Sequence, residues 1–198
     1  MAPLSWVVDH LRAVFPGPMV SASITFLGTD PIDVLRFGPD GDGVVRYATV
    51  GVSRRPMHPP TATVIDPVAG PRAELVLSLR PGRDDVLRPL AVLAMTPQVD
   101  GVVLAGGVTL DLQSPLWPGA RVSAALLGGS GGLVPDLDLV AAGVLAARDD
   151  VEPVRFHPVL PITAGEAAFS RAKGAPALQQ LWLDAGTDLR DPERRGVI

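Results

Sequence analysis

The sequence predicts an α+β fold, a mainly antiparallel β-sheet flanked by a few helices, with residues 1–198 forming one domain. Three observations predict it. Residues 44–53 and 74–79 alternate their side chains with the two-residue period of a strand. Strand-like segments follow one another through short links, with few helical stretches between them, which argues against a doubly wound parallel sheet. Thr163 and Glu166 have the Thr-x-x-Glu spacing of a capping box that opens a helix directly after an apolar strand. The sheet is expected to contain residues 44–53, 74–79, 122–127 and 154–160.

Leu4, Val7, Val8, Leu11, Val14 and Phe15 recur at helical spacing behind Ser5, a suitable N-cap. Pro16-Gly17-Pro18 stops that helix. Residues 19–27 are rich in β-branched and apolar side chains and read as a strand, with a second at 33–37. Pro39-Asp40-Gly41-Asp42-Gly43 is turn chemistry. In 44–53, Val44, Ala48, Val50 and Val52 take one face, interrupted by Arg46, and Tyr47 and Thr49 take the other. Residues 56–71 are proline-rich, are entered through Arg54-Arg55, and read as a long surface loop. Leu75, Leu77 and Leu79 then alternate with Glu74, Ser78 and Arg80, as in a half-buried strand.

A helix over 84–94 must hold Pro89 in its first turn, because a deeper proline loses a hydrogen bond and clashes. Asp84 and Asp85 favour the positive end of its dipole. Residues 102–112 and 122–127 read as strands on either side of Ser114-Pro115-Leu116-Trp117-Pro118-Gly119. Residues 136–147 are ambiguous, and 154–160 is a strand. The box-capped helix ends at Lys173-Gly174, a cation in the last turn followed by glycine. Pro176 begins the next helix, whose buried stripe is Leu178, Leu181, Trp182 and Ala185. Residues 188–198 are charged and expected to be a loose tail.

Composition excludes several classes. The chain of 198 residues carries a net charge of −4 with both signs interspersed, and Lys173 is the only lysine. No basic cluster suggests nucleic acid. There is no cysteine, so disulfides and thiolate metal sites are excluded. Asp9, His10 and Arg12 interrupt the apolar N-terminus, unlike a signal peptide, and no apolar run approaches the ~18 residues of a spanning helix. A cytoplasmic location and no membrane partner are expected. The Ala, Val, Gly, Pro, Arg and Asp bias looks like a GC-rich bacterial genome.

Few residues suggest chemistry. Gly128-Gly129-Ser130-Gly131-Gly132 matches the Gly-x-Ser-x-Gly elbow of serine hydrolases, with Asp138 and His157 following in order. Against Ser130 as a nucleophile, Pro135 delays the helix that should follow, and too little chain remains for later strands. A glycine-rich connection is the simpler reading. These glycines lack the residues of a phosphate loop. His10, His58 and His157 are scattered and suggest no metal site. Asp149, Asp150 and Glu152 form an acidic turn, as do Asp136 and Asp138; paired carboxylates can act as acid and base, and such groups equally form a solvated surface or face a basic partner. Thr163 and Glu166 are read as structural caps. Trp117, between two prolines, is either an interface anchor or a core plug under its loop. No cofactor is expected.

The ordered set of segments resembles the suppressor-of-fused domain over nearly the whole chain. The segments are Tyr47 through Gly51-Val52-Ser53, Glu74 to Leu79, and the proline-started helix from Pro89 to Ala94. Gly107, Pro115-Leu116 and Leu126-Leu127 follow, then Val154 through Thr163, Glu166, Gly174 and Leu178. Asp191 and Arg194-Arg195 end the set. The resemblance implies a non-enzymatic module that holds and inhibits a protein partner. Bacterial single-domain members are similar to immunity proteins that neutralise toxins, which makes a toxin the implied partner. A scaffold subunit of a larger assembly and the Ser130 hydrolase are the alternatives. The animal protein restrains zinc-finger transcription factors, and an acidic residue of its groove matches Asp66. A neighbouring groove aromatic falls at Pro56, so this chain departs from that groove. A partner is expected on the face formed by the 54–71 loop, with Arg54, Arg55 and Asp66, and the loop around Trp117.

Overall fold

The computed structural model describes residues 4–63, 65–146 and 150–198. Among them, seven strands form one sheet: β1 (Met19–Ile24), β2 (Ile32–Phe37), β3 (Val45–Val50), β4 (Arg72–Leu79), β5 (Thr109–Asp111), β6 (Val122–Leu127) and β7 (Val154–Thr163). Their order is β1-β2-β3-β4-β7-β6-β5. Every neighbouring pair is antiparallel except β4 with β7, where Arg72 lies opposite Val154 and Leu77 opposite Val159. The helices are α1 (Ser5–Val14), α2 (Leu87–Asp100), α3 (Ala164–Lys173) and α4 (Ala175–Asp184). The α+β expectation holds, and all four segments assigned to the sheet lie in it.

Both faces of the sheet are covered. α2 sets Leu90, Leu93 and Ala94 among Val34, Val45, Tyr47, Leu75, Leu77 and Leu79. Val7 and Leu11 of α1, with Phe15, pack with Leu35, Phe37, Ala48, Val50, Val76 and Phe156. Because successive side chains point to opposite faces, β2, β3 and β4 feed both clusters. β4 is therefore buried along nearly its whole length rather than half-buried, and Glu74 is 0% exposed. α3 and α4 cover β6 and β7 through Ala167, Leu178 and Trp182 against Ala124, Leu126 and Ile162.

Several boundaries shift for identifiable reasons. Leu4, not Ser5, is the N-cap of α1, and no side chain caps it. β3 stops at Val50 because Gly51, with φ 150°, turns the chain into a short 3-10 helix over Val52–Arg54. A side chain there would meet Ile32 and the Pro31 carbonyl, so only glycine fits. The helix expected to end at 94 opens as a 3-10 turn at Asp84–Val86 and continues as α2 to Asp100. Pro97 is tolerated inside it: the Thr96 hydroxyl donates to the Leu93 carbonyl (2.9 Å), the acceptor that a proline cannot reach. The strand expected over 102–112 shrinks to β5, because Gly107 turns at φ 89° before it. Residues 136–146 form turns, with one isolated bridge from Leu137 to Val154.

The C-terminal segment is not a loose tail. Arg194 is 6% exposed and its side chain is inserted against Glu166 and the Pro161 carbonyl. The sequence shows the charges of this segment but not the buried carboxylate that draws one of them inward.

Candidate functional site

The 54–71 loop is anchored by a buried polar knot at its base. β3 and β4 part after the Ala48–Val76 pair, and the Thr49 hydroxyl takes over as acceptor for the Leu75 N–H (2.8 Å). That hydroxyl donates to Glu74 Oε2 (2.7 Å). Glu74 Oε1 accepts from the Gly51 N–H (2.9 Å), the Ser53 N–H (3.0 Å) and the Ser53 hydroxyl (2.6 Å). Burial pushes the Glu74 carboxyl above the usual range, against the pull of these donors. Arg72 completes the knot, donating from Nη1 to the Ser53 carbonyl (2.8 Å) and from Nη2 to the Val68 carbonyl (3.2 Å).

The loop itself is ordered by local bonds. Met57 is buried, and its N–H donates to the Pro71 carbonyl (2.8 Å). Asp66 folds its own turn, its Oδ1 accepting from the Val68 and Ala69 N–H groups at 2.7 and 2.9 Å. His58 Nε2 lies 3.0 Å from the Asp66 carbonyl. Arg55 pairs with Asp30 at 3.2 Å. Arg54 points to a cleft of about 340 Å³ between the loop, α1 and residues 139–145. Trp6, Val7, Val68, Leu139 and Val144 supply much of its apolar wall. Residue 64 of the loop lies outside the described residues.

Trp117 does not share this face. It is 2% exposed and packed in the α2-side core, with the Arg83 guanidinium 5.0 Å from its ring centre. Of the two roles open to it, the structure gives it the core plug. Its position is also opposite. The loop enters β4 at Arg72, beside the start of β7, whereas Leu116 bonds to Val122, which pairs with Thr163 at the far end of β7. From its first residue to its last, β4 separates the two ends by roughly 23 Å. The expected composite face of loop and Trp117 is therefore not formed, and Arg54, Arg55 and Asp66 stand without Trp117.

The hydrolase residues are engaged separately. The Ser130 hydroxyl donates to Asp136 (3.2 Å), with no imidazole between them. His157 is buried, and its Nδ1 lies 2.9 Å from the Gly128 carbonyl. Asp138 accepts from the Val140 and Ala141 N–H groups at 2.9 and 3.0 Å. No helix follows Ser130, as a nucleophile elbow requires. Among the described residues, no group of three or more His, Asp or Glu could hold a metal ion. No helix there is long and apolar enough to cross a membrane. Of the acidic turn, Asp149 lies outside the described residues, and Glu152 pairs with Arg155 at 3.0 Å.

Sequence reasoning missed Glu74 and Arg72 as the groups that hold the loop, and Arg194 as the partner of Glu166. A glutamate at the start of an apolar strand was the available signal for the first.

The family model described as Suppressor of fused protein (SUFU) matches residues 28–195. Among solved structures, the chain is similar to one described as a SUFU homologue from Neisseria gonorrhoeae FA 1090. The TM-score is 0.68 at 18% identity, over 98% of this chain and 96% of that one. The Sufu–Fu complex crystal structure matches with a TM-score of 0.65 at 16% identity, over 98% of this chain and 91% of that one. Drosophila Suppressor of Fused matches with a TM-score of 0.64 at 18% identity, over 99% of this chain but 51% of that one. At these identities the likeness establishes the fold. No curated protein matches the sequence.

Proposed function

The chain belongs to the suppressor of fused family, and from that premise we propose that it is a non-enzymatic module that binds and inhibits a protein partner, a bacterial toxin. In the Sufu–Fu complex a relative with this fold is bound to another protein. The toxin reading rests on the resemblance to bacterial single-domain immunity proteins. The observation that carries protein binding is the apolar cleft beside the 54–71 loop. Partly apolar concavities edged by a few polar groups are where partners anchor. We place the partner there, against Arg54, with Arg55 and Asp66 on the adjoining loop.

The test is a pull-down from the native host with the full chain, followed by mass spectrometry. The expected result is one co-purifying protein that is toxic when expressed alone and harmless when co-expressed with this chain. A partner without toxicity would retain the binding module and discard the toxin reading. A Ser130-dependent hydrolytic activity would overturn both.

A further inference from the structure

We propose that the cleft receives an apolar segment of the protein partner carrying an aspartate or glutamate side chain, held by Arg54 and Arg72. This rests on the protein-binding reading above and adds the chemistry of the partner. Among the described arginines with a buried Nε that has no hydrogen-bond partner, these two alone reach no carboxylate. Arg46, Arg55, Arg155 and Arg194 each reach a carboxylate. Among the described residues, Arg54 and Arg72 lie in no ion pair, and each line the cleft with a buried Nε that has no hydrogen-bond partner. Arg72 is only 5% exposed and is held by two carbonyl groups, which orient the guanidinium but do not neutralise it.

Glu74 is the carboxylate that shares Ser53 with Arg72, and it is used elsewhere. Ser53 stands between the two: its carbonyl takes Arg72, while its N–H and hydroxyl go to Glu74. Glu74 does not line the cleft. Among the described residues that line the cleft, Arg54 and Arg72 are the charged ones, which makes its polar end positive. A buried cation without an anion is costly, and an incoming carboxylate would offset that cost. The planar guanidinium fork suits a carboxylate acceptor.

The walls select what flanks the acid. They come from separate segments: α1 with Trp6 and Val7, the loop with Pro67 and Val68, the turn with Leu139 and Val144, and β7 with Val154. Such a cleft takes apolar residues on both sides of an acidic one, which favours a side chain over a chain end. Its volume of about 340 Å³ suits a few side chains, not a folded domain.

The test is selection from a random dodecapeptide library whose C-termini are fused to a phage coat protein, against the immobilised full chain. Enriched peptides are then synthesised with amidated ends, each beside a twin with Gln or Asn for Glu or Asp. We expect enriched peptides with an acidic residue between apolar ones. The twin should bind about tenfold more weakly, and Arg54→Gln should weaken the acidic peptide about tenfold while leaving the twin unchanged. Arg54 is only part-buried and outside the Glu74 bonds, so the variant should fold. Peptides without acidic residues, or acid and amide twins that bind alike, would overturn the carboxylate inference and leave protein binding standing. Equal enrichment by the wild-type and Arg54→Gln chains would overturn the cleft as the site. The protein-binding reading is tested separately and fails if the pull-down returns no partner.

Discussion

Arg194 and Glu166, separated by 28 residues, form a buried ion pair through two charge-assisted hydrogen bonds, Nη1 to Oε1 at 2.9 Å and Nη2 to Oε2 at 2.7 Å. Their side chains are 4% and 0% exposed. Glu166 also receives the Trp182 indole N–H (2.9 Å), the Thr163 N–H (2.9 Å) and the Val197 N–H (3.2 Å). One carboxylate thus closes the capping box of α3, holds α4 and docks the C-terminal segment. Burial alone would push its pKa up. The bonds from Arg194, Thr163 and Trp182 outweigh burial and hold it at about 2, against 4.5 ordinarily.

Arg194→Met should therefore destabilise the fold by about 3–5 kcal/mol, because it leaves a buried carboxylate without its cation. Urea unfolding at neutral pH measures this. A loss below about 1 kcal/mol would show that the pair is not the clamp described.

The same pair sets an acid limit. A carboxyl whose folded pKa is depressed contributes stability that is fully present above its unfolded value and lost as pH falls through the folded one. For Glu166 the window runs from about 4.5 down to about 2, and the contribution is about 3 kcal/mol. Unfolding free energies measured across that window should fall towards acid in the wild type. The decline should be much smaller in Arg194→Met.

Thr163→Ala removes the other half of the box, the hydroxyl that accepts the Glu166 N–H at 3.2 Å. It should cost about 1 kcal/mol and leave partner binding unchanged. Abolished binding at unchanged stability would contradict the structural role.

Glu74→Ala strands the Gly51 and Ser53 N–H groups in the interior and should cost at least about 3 kcal/mol, since each buried unmet donor costs about 1–3 kcal/mol. Glu74→Gln keeps an oxygen for those two donors and should cost about 1–2 kcal/mol. Because burial raises the Glu74 pKa, its pH effect has the opposite sign to that of Glu166: stability is lost as pH rises through the folded value. Thermal unfolding of the two variants gives the order, and equal losses would refute the acceptor role.

Trp117→Ala and Asp66→Arg should separate fold from surface. The first empties a core position and should cost about 3–5 kcal/mol. The second removes the acceptor of a loop turn and reverses a charge at the proposed face. It should weaken partner binding while the β-sheet signal in circular dichroism persists. Normal binding by Asp66→Arg would move the interface away from the loop, with Asp150 and Glu152 the next surface to vary.

Much of the architecture follows from short-range patterns. Alternation in β3 and β4, the apolar run of β6, and the Thr163–Glu166 spacing are written within about ten residues, and strand period and capping act over that distance. The sequence by itself therefore determined the α+β class, the sheet membership of these strands and the α3–α4 pair. Tertiary structure decided what those elements bury. Glu74 meets Ser53 across 21 residues, Arg72 meets Ser53 across 19, and Arg194 meets Glu166 across 28. Each pairing was settled by desolvation, since a charged group enclosed by the sheet must find donors or acceptors wherever the fold brings them. The same cause separated Trp117 from the 54–71 loop. Both read as loop residues in sequence, but β4 holds them at opposite ends, and the core took the indole.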